Sequence, residues 1–113
     1  MTSMFSAELK KGNTEMLVLS LLESRPRHGY EIGKLIEARS NGRLTFALPT
    51  LYPTLLRLEN RGWIKGRWVE KAGERSRCFY RLTPDGRRVL VQQRETWDAY
   101  VVAVNQVMNG ADA

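Results

Sequence analysis

Apolar residues recur with helical spacing in four stretches of the chain, separated by short segments rich in glycine, proline and polar residues. The first stretch, residues 6–23, is apolar almost all round, which is typical of a helix buried by several neighbours. The segment Arg25-Pro26-Arg27 ends it, because proline disfavours helical geometry in the preceding residue. A second helix is predicted from about His28 to Arg39, ending in the turn Ser40-Asn41-Gly42.

The third stretch predicts a short helix with one apolar and one polar face. Leu51, Leu55 and Leu58 recur at i, i+4 and i+7 and predict the buried face. A short strand is expected just before the helix, at residues 44–46. We expect Thr50 to cap the helix, with Pro53 as its third residue, and Gly62 to end it in the left-handed conformation. The polar face offers hydroxyl and guanidinium groups that suit a DNA groove, from Thr50, Thr54, Arg57 and Arg61.

A β-hairpin and a long last helix are predicted from the remaining pattern. Residues 63–69 and 77–82 are rich in aromatic and branched side chains and flank the turn-like Lys71-Ala72-Gly73-Glu74. Thr83-Pro84-Asp85 supplies a capping hydroxyl, a proline for the first turn and a carboxylate near the positive end of the helix dipole. Since no later element could cover the apolar stripe of this helix, the stripe is expected to form a dimer interface, through Leu90, Trp97, Val101, Val104 and Met108.

The composition fits one small globular domain with a localised basic surface. A chain of 113 residues that is 42% hydrophobic can build one core. No long apolar run or signal-like N-terminus is present and Cys78 is the single cysteine, so a cytoplasmic protein is expected. Residues 57–88 hold ten Lys or Arg and four Asp or Glu, so the net charge of this segment, +6, equals that of the whole chain. Such a footprint favours nucleic acid, with an ordinary solvated basic surface as the alternative.

The residues needed for catalysis or metal binding are scarce. The chain has one His and one Cys, and it has neither a glycine-rich phosphate loop nor a nucleophile-elbow motif. An enzyme is therefore not expected, and neither a cofactor nor a metal ion is predicted.

Four segments together resemble the PadR family of bacterial transcriptional regulators, specifically its short members with a single C-terminal helix. They are Leu9-Lys10-Lys11-Gly12 with the apolar helix to Leu22, residues 28–32, Leu51-Tyr52-Pro53 through Gly62, and residues 77–83 with Gly86. The resemblance implies a mainly α fold with a small β-hairpin wing, in which residues 1–83 form a winged helix-turn-helix and residues 84–113 a dimerisation helix, as one compact unit. It further implies a homodimer that binds pseudo-palindromic operator DNA and usually represses. Asn13-Thr14 and Cys78-Phe79 depart mildly from the family pattern.

The resemblance also implies roles for individual DNA-facing residues. Tyr52 resembles a family tyrosine that holds phosphate at the helix start, and packing under the second helix is its alternative role. The wing residues Lys71, Arg75 and Arg77 are expected to follow phosphates, unless they form only a mobile charged loop. Lys10 and Lys11 are candidates for further phosphate contacts. His28 is expected to cap or pack the second helix rather than to titrate.

In the short PadR-like regulators a small aromatic or cationic effector is often bound at the dimer centre. Trp97 resembles the tryptophan that lines this pore with its symmetry mate, and Trp68 resembles a second aromatic of the region. The alternative is a packed interface aromatic with no ligand. Two rival functions stay open on the sequence alone, namely a winged-helix protein-interaction module without a DNA role and a constitutive DNA binder without an effector.

Overall fold

A computed structural model describes residues 13–111, which form four helices and three strands. The strands make one antiparallel sheet in the order β1-β3-β2, so the β2–β3 hairpin is extended by the short β1. The architecture is mainly α with a small β-hairpin wing, which confirms the predicted fold class. The elements are α1 (Thr14–Leu21), β1 (Arg27–His28), α2 (Gly29–Arg39), α3 (Leu48–Asn60), β2 (Ile64–Val69), β3 (Arg77–Leu82) and α4 (Pro84–Asn109).

One hydrophobic core joins all four helices to the base of the hairpin. The predicted face of α3 is its centre, because Leu51, Leu55 and Leu58 are fully buried. The hairpin contributes the register pair Ile64 and Leu82, at the end of the strands nearest the helices. The remaining buried hydrophobic residues are Val18, Leu19, Leu21, Leu22, Ile32, Ile36 and Leu90.

Helix α3 begins earlier than the sequence analysis predicts. Its N-cap is Ala47, and the Thr50 amide already donates to the Ala47 carbonyl at 2.9 Å, so the expected Thr50 cap is wrong. Pro49 occupies the first turn, where a missing amide hydrogen costs nothing, and Pro53 lies inside the helix. The end of α3 is as predicted, since Gly62 has φ +78° and permits the left-handed stop.

Two other local predictions differ from the structure. Residues 44–46 form a loop instead of a strand, and the Leu44 amide donates to the Ser40 hydroxyl at 2.9 Å. The strand that extends the hairpin is β1, which pairs with β3 through Arg27 opposite Tyr80. Helix α1 ends at Leu21 and not at Glu23, and the part of the predicted first helix before residue 13 lies outside the described residues.

A buried arginine fixes the α1–α2 junction. Arg27 is only 7% exposed, and its guanidinium donates to the Leu21 carbonyl at 2.7 Å and to the Glu31 carboxylate at 3.0 Å. Arg25 also pairs with Glu31. Burial by itself raises the pKa of the Glu31 carboxyl, but the hydrogen bonds and charges of Arg25 and Arg27 outweigh it and hold that pKa below its usual value. This network joins the end of α1 to the first turn of α2.

Helix α4 starts at a bridge to the end of α3. The Thr83 hydroxyl accepts from the Gly86 amide at 3.0 Å and donates to the Gly62 carbonyl at 2.6 Å. This confirms the predicted helix start. The first turns of α4 then pack on α1 and β3, and Leu90 is only 1% exposed. The expectation that Leu90 forms a dimer interface is therefore wrong, because its side chain belongs to the protomer core.

Candidate nucleic-acid interface

The polar face predicted for α3 is only partly exposed. Thr50 and Arg57 lie on the surface, whereas Thr54 is 4% exposed and accepts a hydrogen bond from Arg57 Nη2 at 3.1 Å. The sequence predicts Thr54 on the face that suits a DNA groove, and its burial rules out that position. Its hydroxyl instead holds the Arg57 guanidinium against the helix.

The exposed face of α3 is a ridge formed by Pro49, Pro53, Leu56 and Asn60, which we call the α3 ridge. These residues follow one another at steps of 4, 3 and 4, so they share one side of the helix. All four are exposed, and Leu56 is 58% exposed. None of these four residues belongs to the predicted DNA-facing set. The same spacing rule, applied to the residues opposite the leucine stripe, could have found them.

Arg61 already has partners within the protomer. Its guanidinium forms an ion pair with the Glu15 carboxylate at 2.6 Å and lies 5.0 Å from the centre of the Trp63 ring. These contacts draw the side chain toward α1 and the start of β2. Arg57, one turn earlier, is the arginine that stays beside the ridge.

An open cleft of about 490 Å³ separates the hairpin from the starts of α2 and α3. The Tyr52 ring packs over the start of α2, where its Cε1 lies 3.3 Å from the position that a Cβ on Gly29 would occupy. Tyr52 is nevertheless 52% exposed, so both roles considered for it are geometrically compatible. The cleft is lined by His28, Gly29, Tyr30, Leu48, Tyr52, Trp68, Arg75, Ser76, Arg77, Cys78 and Tyr80.

Two basic residues of the hairpin line this cleft. Arg75 and Arg77 line it and are exposed, and Lys71 is exposed in the turn between β2 and β3. Gly73, with φ +77°, gives this turn its left-handed residue. The hairpin therefore places two cationic side chains, those of Arg75 and Arg77, in the cleft that Tyr52 also lines. Lys10 and Lys11, the other predicted phosphate contacts, lie outside the described residues.

His28 joins α2 to the hairpin. Its Nδ1 accepts from the Glu31 amide at 3.3 Å, which confirms the expected capping role, and its Nε2 lies 3.0 Å from Arg77 Nη1. The Phe79 ring meets the imidazole edge-on at 5.2 Å. Burial first, and then the positive charge of Arg77, lower the pKa of His28, against the opposing charge of Glu31. The neutral imidazole is therefore favoured in the folded protein.

A second brace joins α3 to the hairpin. The Glu59 carboxylate accepts from the Gly66 amide at 2.8 Å, so the last turn of α3 holds β2 directly. Tyr80 lies beside Gly66 across the sheet, and burial followed by a hydrogen bond with Cys78 raises the pKa of the Tyr80 hydroxyl. Sequence reasoning did not identify Glu59, since an exposed acid at a helix end carries no signal of a long-range partner.

The distal half of α4 exposes a run of large apolar residues. Trp97 is 40% exposed, and its ring lies 6.4 Å from that of Tyr100 at an interplanar angle of 34°. Met108 is 68% exposed, and Val101 and Val104 are half-buried. Trp68 lies elsewhere in the protomer, in the cleft beside Tyr52. One subunit therefore does not bring the two predicted effector residues into a common pocket.

Two other kinds of site are absent from the described part of the chain. Within residues 13–111, no helix has both the length and the apolar character needed to cross a membrane. The same part of the chain contains no group of three or more His, Cys, Asp or Glu arranged to hold a metal ion.

Comparisons with known proteins agree with this geometry. The profile of the transcriptional regulator PadR-like family matches residues 18–92. A transcriptional regulator from Clostridium thermocellum is 31% identical with a TM-score of 0.82, and the match covers 90% of this chain and 96% of that one. A PadR family regulator from Eggerthella lenta is 32% identical with a TM-score of 0.81, covering 92% and 88%. An uncharacterised protein of Lysinibacillus sphaericus is 26% identical over 96% of this chain and its own whole length. The matched proteins of known class are regulators rather than enzymes, and the chain belongs to the PadR-like family of transcriptional regulators.

Proposed function

We propose that this protein is a ligand-responsive repressor that binds pseudo-palindromic operator DNA as a homodimer. Residues 1–83 would contact DNA and residues 84–113 would join the two subunits. The observation that carries the proposal is the exposed face of α3, flanked by Arg57 on one side and by the basic cleft on the other. PadR-like regulators generally bind DNA, which supports this use of the face.

In the proposed complex α3 enters the major groove and the hairpin follows the adjacent backbone. Arg57 reaches a guanine or a phosphate from the edge of the α3 ridge, and Tyr52 donates its hydroxyl to a phosphate. Arg75 and Arg77 neutralise phosphates beside the cleft. Two copies of α3 in a symmetric dimer would lie about one DNA turn apart, roughly 34 to 36 Å, and would bind successive half-sites.

Salt dependence and one substitution test the DNA role. If a dimer neutralises about 6 to 10 phosphates, its affinity falls by about 10³ to 10⁵ between 50 and 200 mM salt. Arg57→Ala is expected to weaken operator binding by about 1 to 3 kcal/mol if Arg57 contacts a base. Arg94→Ala on α4, which removes an ion pair with Glu23, is the matched control and should leave binding nearly unchanged. Wild-type DNA affinity in a folded variant with both Arg57→Ala and Arg61→Ala, measured by anisotropy, would exclude this face of α3 as the DNA-binding surface.

The proposed dimer is supported by the apolar residues at the distal end of α4. Trp97, Val101, Val104 and Met108 follow one another at helical steps of 4, 3 and 4 and so share one side. Tyr100, 62% exposed, borders the same side. An apolar stripe of this length favours a partner surface over solvent. A second copy of the same helix offers the self-complementary surface that a two-fold interface requires.

Sedimentation tests this interface with a pair of glutamate variants. Met108→Glu places a charge on the stripe, and Val102→Glu places one on another side of α4, where Val102 is 56% exposed. We expect Met108→Glu to raise the dimer dissociation constant at least about tenfold, because each subunit would bury an unpaired carboxylate. Val102→Glu should remain dimeric. Equal dimer stability in the two variants would contradict the proposed interface.

The proposed effector site lies between the two copies of Trp97. An indole face attracts planar aromatic and cationic groups by about 0.5 to 2 kcal/mol per contact. Two facing indoles favour one ligand on the two-fold axis, and such a ligand releases DNA only if it prefers a dimer geometry that does not fit the operator. Calorimetry with a planar aromatic cation such as proflavine should give one molecule per dimer and lose most of the affinity in Trp97→Ala. Wild-type affinity for the cation in Trp97→Ala would exclude Trp97 as part of the effector site.

The two rival functions predict different results in the same assays. A protein-interaction module would show no salt-dependent binding to random DNA at low salt. A constitutive regulator would bind its operator but show no change in tryptophan fluorescence with aromatic compounds. The localised basic charge of residues 57–88 favours the DNA-binding alternatives over the interaction module.

A further inference from the structure

Leu56 is an exposed leucine that the fold does not use. It lies in the middle of α3, and its side chain is 58% exposed, whereas Leu51, Leu55 and Leu58 of the same helix are fully buried. Pro53 precedes it on the α3 ridge and is also exposed. The centre of the exposed face of α3 is therefore apolar, and its hydrogen-bonding groups lie to either side.

The flanks of the ridge are polar and positively charged. Thr50 and Arg57 border it on one side. Tyr52 borders it on the other, where the cleft brings in Arg75 and Arg77. An apolar centre with cationic edges matches the major groove of B-DNA, whose phosphates line both walls and whose base edges form the floor.

Thymine supplies the apolar group on that floor. Its 5-methyl group projects into the major groove, whereas the other bases present hydrogen-bond donors and acceptors there. A leucine side chain cannot satisfy those polar groups, so placing it over them would leave them without water or a partner. The charge on both flanks favours DNA over a protein partner, which would have to cover the cationic residues as well.

We propose that Leu56 contacts the 5-methyl group of thymine, which makes it a specificity-determining residue of the operator complex. This inference rests on the proposed function, since it assumes that α3 enters the major groove. It adds a requirement on the DNA itself. Each half-site carries a thymine at the position below Leu56, and the methyl group of that base contributes to affinity.

Replacing thymine by uracil tests this contact, because uracil pairs identically and lacks only the methyl group. A duplex that the wild-type protein enriches from a randomised library is resynthesised with uracil at one matched position in both half-sites, for each thymine in turn. Anisotropy at one fixed salt concentration gives the dissociation constants. At one position we expect a loss of about fourfold per half-site, and about 15-fold for both, which is the effect of about 0.8 kcal/mol per buried methyl group.

Leu56→Ala assigns the effect to this side chain. Alanine favours the helix and the site is exposed, so the variant should fold, which circular dichroism checks. We expect it to bind the thymine and uracil duplexes equally. Val102→Ala removes an apolar side chain of similar exposure from α4 and should keep the full thymine preference.

The outcomes separate this inference from the proposed function. Operator binding by the wild type with equal affinity for thymine and uracil at every position would overturn the role of Leu56 and leave the DNA-binding function standing. An undiminished thymine preference in Leu56→Ala would also overturn the role of Leu56 and leave the DNA-binding function standing. Failure to bind any duplex at low salt would overturn the proposed function and the inference with it.

Discussion

Gly86→Ala tests how tightly α4 is held against the end of α3. A Cβ at position 86 would lie 2.9 Å from the Trp63 carbonyl carbon and 2.8 Å from Leu82 Cδ1, and closer still to the Trp63 carbonyl oxygen. Ordinary contacts begin at 3.4 Å. The Trp63 carbonyl cannot easily retreat, because it accepts from the Thr83 amide at 3.0 Å. Helix α4 must therefore move away from the start of β2.

The expected cost of Gly86→Ala follows from three terms. Overpacking costs about 1 to 3 kcal/mol. Weakening the Thr83 cap adds about 1 kcal/mol, and the better helix propensity of alanine returns about 0.5 to 1 kcal/mol. We expect a net loss of about 1 to 3.5 kcal/mol, which lowers the melting temperature by about 4 to 15 °C for a domain of this size.

Thermal unfolding at one fixed protein concentration measures this effect, with Gly62→Ala as the control. Gly62 also lies at the junction between α3 and β2, but a Cβ there would have no atom within 4 Å. Its φ of +78° makes alanine costly by about 1 to 2 kcal/mol through backbone strain alone. Gly86→Ala should melt at or below the temperature of Gly62→Ala. A Gly86→Ala protein as stable as the wild type would refute the packing argument.

Two further predictions concern charged groups around α2. Glu31→Gln should cost about 1.5 to 3 kcal/mol at pH 7 in urea unfolding, because buried Arg27 loses a carboxylate partner. Because the pKa of Glu31 is lowered in the folded protein, the stabilisation is fully present at pH values above the ordinary pKa of 4.5. It is lost as the pH falls through the folded pKa, where the stabilities of variant and wild type should converge. The lowered pKa of His28 means that the unfolded chain takes up the proton first, so wild-type stability falls as the pH drops below 6.5. His28→Asn keeps a capping side chain without titrating, and its stability should fall less than that of the wild type between pH 7 and 5. An identical dependence of the unfolding free energy on pH in the two proteins would count against the role of His28.

The elements that the sequence predicted well are those set by local chemistry. The Thr83 cap, the Gly62 stop and the leucine stripe of α3 can each be recognised from a few neighbouring residues, so periodicity or capping preference is enough to place them. The first turn of α3 was misplaced, because either Thr50 or Ala47 can precede a proline-containing turn, and sequence preference favours the hydroxyl. The structure begins the helix at Leu48, whose side chain lines the cleft.

The candidate site was harder to predict because its arrangement depends on contacts between distant segments. The pattern assigned Thr54 to the polar face by spacing, but neighbouring elements cover that edge of α3 and bury it. The ion pair of Arg61 with Glu15 and the brace from Glu59 to Gly66 join residues that no local rule connects. Spacing along one helix identifies its faces, and only the packing of its neighbours decides which face remains exposed.

The same packing links the proposed DNA-binding and dimerisation surfaces mechanically. Leu90 anchors the first half of α4 in the protomer core, and Thr83 ties the start of that helix to Gly62 at the end of α3. The Glu59 carboxylate then ties the last turn of α3 to the hairpin. A tilt of α4 caused by a ligand at Trp97 would therefore turn α3 and the hairpin together instead of bending a flexible link. Since the half-site spacing depends on the angle between subunits, a small rotation about the proposed dimer axis is sufficient to misplace one α3 in its groove.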